Sequence, residues 1–212
     1  MADQTMTYGI AANLNANTFK RTGFVFSGWN TQANGSGTSY TNKQSVNNLT
    51  STAGGIVTLY AQWRKVDFEV RDYTIDGNLI TDILENTKTE DYVQHFDIGS
   101  NYKIEVYDKT GTNKLSNTDI IGTGSILRVY KNNVLEAEYV NIVPGDVTGE
   151  GKVNSTDVSI IAHYIIGTEG YNLTDIEIVA ADITKEGNVN STDVSIIAHY
   201  IIGTEGYNKL VK

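Results

Sequence analysis

The chain has 212 residues, of which 25 are acidic and 16 basic, for a formal charge of −9. That acid excess argues against a sequence-independent nucleic-acid binder, which needs clustered Lys and Arg. The absence of cysteine removes disulfides, thiolate zinc sites and cysteine nucleophiles together. No apolar run approaches the ~18 residues of a membrane span. The polar opening MADQTMTYG reads as an internal start rather than a secretory leader.

The charge divides the chain into three blocks: residues 1–64 carry a net +3, residues 65–144 a net −6 and residues 145–212 a further −6. The only proline, Pro144, stands beside Gly145 at the last break and marks an expected hinge. The expected organisation is therefore multi-domain, with modules at 1–64, 65–144 and 145–212.

In the first block, Phe24-Val25-Phe26 and the run from Ile56 to Tyr60 read as strands from their aromatic and β-branched content. Asn34-Gly35 and Gly54-Gly55 supply turn positions. Trp29 and Trp63 read as core residues, and no catalytic set appears. Phe19, Arg21, Gly23, Phe24, Phe26, Gly28 and Trp29, with Leu59, Tyr60 and Trp63 closing the block, resemble the Listeria–Bacteroides repeat of bacterial surface proteins over about the first 63 residues. The resemblance implies a β-grasp-like fold and an extracellular setting. The family's opening strand has no counterpart here, so an open sheet edge is expected.

In the second block, alternation predicts strands at 67–73, 102–107, 125–130 and 136–142, and the stretch TKTEDYVQHF predicts a short helix with Val93 and Phe96 inward. The expected result is a small α+β module, loosely similar to modules that precede dockerins in clostridial proteins. His95 has no spaced partner and reads as structural.

The third block contains an internal duplication. The twenty residues VNSTDVSIIAHYIIGTEGYN occupy 153–172 and recur unchanged at 189–208. Each copy follows an acidic loop, and the pair reads DVTGEGKVNSTD and DITKEGNVNSTD on the twelve-position calcium-loop pattern. Asp146 and Asp182 take the first position, Thr148 and Thr184 the third, and Glu150 and Glu186 the fifth. Gly151 and Gly187 make the sharp turn at the sixth. Lys152 and Asn188 offer backbone carbonyls at the seventh, Asn154 and Asn190 stand at the ninth, and Asp157 and Asp193 close the loops at the twelfth. Oxygen donors at alternate positions suit a hard cation, calcium before magnesium, one per loop. Two such ions would bring the block from −6 to about −2.

A helix should follow each loop. Ser155 and Ser191 are the expected N-caps, Val158, Ile161 and Ile165 form one apolar stripe, Val194, Ile197 and Ile201 the other, and Gly167 and Gly203 the ends. A core this small makes metal part of the folding free energy. Pro144 leaves no room for the leading helix of an EF-hand. Loop-then-helix twice over, residues 145–208, resembles a type I dockerin, an all-α pair of F-hand repeats.

That resemblance implies a non-catalytic, secreted bacterial protein that is monomeric when unbound and docks on a cohesin module of a scaffoldin or cell-surface protein. It implies partner contacts from Ser155-Thr156 and Ser191-Thr192, and from the mid-helix pairs Ala162-His163 and Ala198-His199. The family's mid-helix pair is frequently Lys-Arg; the pair here is less charged, so the resemblance does not fix the class of cohesin. Zinc at His163 or His199 is disfavoured, since no ligand follows at i+4. The identical copies fit either two equivalent docking faces, used in two orientations, or a recent duplication. The alternative function is a calcium-stapled spacer of a surface adhesin.

Overall fold

The structure is a computed structural model that describes residues 1–19, 21, 24–65 and 68–210. The chain forms two compact units, Met1–Val66 and Asp67–Lys212. The expected motif residue Gly23 and the strand start at Asp67 lie outside the described residues.

The first unit is β-rich. Its strands are β1 (Ala12–Asn13), β2 (Phe24–Asn30), β3 (Ser39–Tyr40), β4 (Ser45–Val46) and β5 (Tyr60–Lys65). β2 is the centre of an antiparallel sheet ordered β3-β2-β5, and β1 pairs with β4. Gly28 sits at the bulge of β2 with φ 144°, and a Cβ there would meet the Tyr40 carbonyl oxygen at 2.7 Å. Only glycine fits beside that backbone. Trp29, 5% exposed, is core and packs edge-on to Phe26, whereas Trp63, also expected as core, is half-buried where it meets Phe26, and Phe19 and Tyr60 of the motif are exposed. The strand expected at Ile56 begins instead at Tyr60. β2 ends at Asn30, opposite Tyr60, and the preceding residues have no β2 residue to pair with. Ile56 is accordingly exposed.

The second unit opens with β6 (Phe68–Val70), β7 (Thr74–Asp76), β8 (Leu79–Thr81), the single-turn α1 (Thr89–Tyr92) and β9 (Phe96–Ile98). It continues with β10 (Tyr102–Tyr107), β11 (Ile126–Lys131) and β12 (Val134–Asn141). The five-stranded sheet is ordered β10-β11-β12-β8-β7, antiparallel except for β12 against β8. Gly77, in the left-handed region, makes the β7–β8 turn. The expected helix is α-helical only to Tyr92, which is fully buried with its hydroxyl donating to Asn141 Oδ1 at 2.5 Å; Val93 starts a 3-10 turn and is half-buried, and buried Phe96 begins β9.

From β12 the chain runs directly into the duplicated region, with helices α2 (Ser155–Ile165), α3 (Asp175–Ala181) and α4 (Ser191–Ile201). Ile161 and Ile197 are fully buried against Ala180, Ala181, Val147 and Ile142. Ile142 follows β12, so this helical core also packs against the end of the sheet. The expected hinge at Pro144-Gly145 is a packed joint: Val143 is buried, the Gly145 N–H donates to the Ala180 carbonyl, and a Cβ on Gly145 would meet Leu210 at 2.8 Å.

Candidate functional site

Each loop leads into its helix through a capping box. The cap is Asn154, one residue before the expected Ser155: its Oδ1 accepts from the Thr156 N–H at 2.7 Å, while the Asp157 carboxylate accepts from the Asn154 N–H at 2.9 Å. Asn190 and Asp193 repeat this at 2.7 and 2.9 Å. Asn offers a better-placed acceptor here because Ser155 already has helical geometry as the first residue of α2. The same carboxylate therefore caps the helix and closes the loop.

The first loop folds around two fully buried carboxylates, Asp146 and Asp157. Asp146 Oδ1 accepts from the Gly149 N–H at 2.8 Å and the Glu150 N–H at 3.1 Å, and Oδ2 accepts from the Gly151 N–H at 2.9 Å. Asp157 Oδ1 accepts from the Val147 and Thr148 N–H groups, both at 3.1 Å. Burial raises the Asp157 carboxyl above its ordinary value, and the charge on Asp146 adds to the rise against the opposing amide donors. The second loop repeats the pattern in the open. Asp182 accepts from the Glu186 and Gly187 N–H groups at 3.2 and 2.8 Å, and buried Asp193 accepts from Thr184 through both N–H and hydroxyl at 3.0 Å.

This donor set is all oxygen and carries two neighbouring carboxylates per loop, which suits a hard divalent cation. The fifth-position carboxylates are engaged elsewhere: Glu150 accepts from the Asn154 amide and Glu186 from the Asn190 amide. Among the described residues no three His, Cys, Asp or Glu side chains form a ready cage. The Lys152 and Asn188 side chains are exposed, consistent with positions that would lend only backbone.

The partner-face residues lie on α2 and α4. Ser155, Thr156, Ser191 and Thr192 are exposed, whereas Ala162, His163, Ala198 and His199 are half-buried. His163 stacks on Tyr171 with ring centres 4.3 Å apart, and His199 on Tyr207 at 4.9 Å. The Nδ1 atoms differ in partner: His163 faces the Thr168 hydroxyl at 3.1 Å and His199 the Ser195 carbonyl at 2.7 Å. Two features escaped sequence reasoning. Ile166 and Ile202, twin residues one step past the helices, are each 75% exposed. Their repetition outside the buried stripe was the available signal. Asp82, Glu85, Asn86 and residues 120–123, whose sequence has no metal pattern, touch the loops.

A family model of the Dockerin type I domain matches residues 144–202, and one of the Listeria-Bacteroides repeat domain matches residues 1–62. Comparison with curated proteins and with solved structures gives no significant match. The chain thus carries a dockerin segment and a repeat segment. The first implies calcium-dependent binding of a cohesin module, and both are domain kinds of extracellular or surface proteins, neither catalytic. No helix among the described residues is long and apolar enough to cross a membrane.

Proposed function

We propose that this chain is a non-catalytic attachment region of a secreted bacterial protein, which docks on a cohesin module of a scaffoldin or surface protein through α2 and α4. When bound, one calcium ion in each loop would neutralise the buried carboxylates and stiffen the loop under its helix. Asp146, Thr148, Glu150, Asn154 and Asp157, with the Lys152 carbonyl, would hold the first ion. Asp182, Thr184, Glu186, Asn190 and Asp193, with the Asn188 carbonyl, would hold the second.

The observation that carries the reading is the matched exposure of the two helix starts. Ser155-Thr156 and Ser191-Thr192 are exposed alike although their loops are surrounded differently. Packing alone tolerates exchange among Ile, Leu and Val and does not demand identical solvent faces. Two equivalent faces favour docking in two orientations, with Ile166 and Ile202 adding apolar area beside Ala162-His163 and Ala198-His199. A spacer that merely used calcium as a staple would have no need of twin surfaces.

Calorimetric titration of the chain with a panel of cohesin modules, in calcium and in chelator, tests the proposal. Saturable binding in calcium that vanishes in chelator is expected. Calcium-dependent folding with no cohesin bound would favour the spacer, and a fold equally stable in chelator would defeat both readings.

A further inference from the structure

The two loops differ at only three of twelve positions, yet their surroundings are unlike. The first is pressed against the α+β region that precedes it. Asp146 Oδ2, which accepts from Gly151 within the loop, also accepts from the Thr123 N–H at 2.9 Å. The Asn86 N–H donates to the Gly151 carbonyl at 2.8 Å, and Lys109 Nζ reaches the Thr148 carbonyl at 3.3 Å. Glu85 grips the loop's exit: its Oε2 accepts from the Val153 N–H at 2.7 Å and its Oε1 from the Tyr200 hydroxyl at 2.5 Å.

Gly122 lies so close that a Cβ on it would overlap the Gly149 carbonyl oxygen and come within 3.0 Å of the Gly151 nitrogen. Around the second loop there is far less. Glu186, Gly187 and Asn188 are exposed, a Cβ on Gly187 would meet nothing within 4 Å, and among the described residues the loop's tie to the same region is the ion pair of exposed Lys185 with half-buried Asp82 at 2.9 Å.

We infer that residues 85–86 and 120–123 are positioning residues for the first loop, so that it takes a divalent cation more tightly and releases it more slowly than the second. The inference rests on the calcium reading above. Its physical basis is preorganisation: a loop already held in one backbone conformation loses less freedom when the ion binds. In the first loop, the carboxylate at position one and the turn glycine at position six are both fixed from outside. The second is held by its own hydrogen bonds without these outside contacts, and so has more freedom to lose as the ion enters. Occupancy of the two loops would then separate as calcium falls, the second emptying first while the first still holds its helix.

The test titrates the chelator-treated full chain with calcium against a competing fluorescent chelator, and follows release by rapid mixing. Two steps separated by about tenfold or more in affinity and in release rate are expected. Asp146→Asn should delete the tight, slow step and Asp182→Asn the weak, fast one. Gly122→Ala should weaken the tight step alone and draw the two together. Should Gly122→Ala fail to fold, Glu85→Ala, which frees the Val153 N–H, must move the same step in the same direction.

Lys185→Gly separates the inference from a mere difference in loop sequence: the steps stay apart if the contacts set them, and merge if the residue at position four does. Equal steps, a reversed order, or merging in Lys185→Gly would overturn the inference while leaving calcium binding intact. No calcium bound at either loop would instead defeat the calcium reading.

Discussion

Replacing Gly151 and Gly187 by alanine, one at a time, puts the same methyl group at the same loop position in two different surroundings. Both glycines have left-handed backbones, with φ 77° and 90°. An L-residue there costs roughly 1–2 kcal/mol. At Gly187 that is the whole cost, because the new methyl would meet nothing within 4 Å. At Gly151 the methyl would meet the Ile121 carbonyl oxygen at 2.5 Å and overlap the Ile120 side chain. Crowding of that kind adds about 1–3 kcal/mol. The expected losses are therefore about 2–5 kcal/mol for Gly151→Ala and about 1–2 kcal/mol for Gly187→Ala.

Urea unfolding in chelator, followed by ellipticity at a helical wavelength, measures both. The described helices all belong to the second unit, and both tryptophans to the first. Tryptophan fluorescence therefore serves as an internal control that neither substitution should move. Equal losses for the two variants would refute the claim that the first loop is held from outside.

Asn154→Ala and Asn190→Ala remove the helix caps and should each cost about 1 kcal/mol in chelator, read from the same urea curves. Glu85→Ala removes the acceptor shared by Val153 and Tyr200 and should cost about 1–3 kcal/mol, whereas Tyr200→Phe should cost less than half of that. The Lys114 ammonium, helped by Tyr107 and Lys103, lowers the Glu105 carboxyl from 4.5 to about 2. A depressed folded-state value means that this contribution is present above about 4.5 and lost as pH falls through about 2. Lys114→Ala should flatten that part of the acid-unfolding curve.

The duplicated helices and the loop turns were legible because their positions carry their own physical demand: a glycine with a left-handed backbone at the turn, and apolar residues three and four apart. In the aromatic motif of the first unit Trp29 was legible as core, whereas Trp63 is only half-buried. The cap was misplaced by one because Asn154 and Ser155 are both good caps, and only backbone geometry tells them apart. α3 went unseen although Thr174 and Glu177 form a capping box; its seven residues are too few to show a period. The β7–β8 hairpin carried an Asp76-Gly77 signal that strand alternation overshadowed. The unequal setting of the loops was not legible at all. It arises from contacts between residues such as Thr123 and Asp146, made by backbone amides that any residue type supplies.

The most direct test of the docking claim is cohesin affinity, in calcium, of three full-length variants: Ser155→Asp/Thr156→Asp, Ser191→Asp/Thr192→Asp, and all four changes together. Two equivalent faces require that each paired variant bind within about twofold of the parent, since one orientation survives, and that the fourfold variant lose binding. Loss of binding in either paired variant alone would contradict two orientations. Undiminished binding in the fourfold variant would contradict docking through these helix faces.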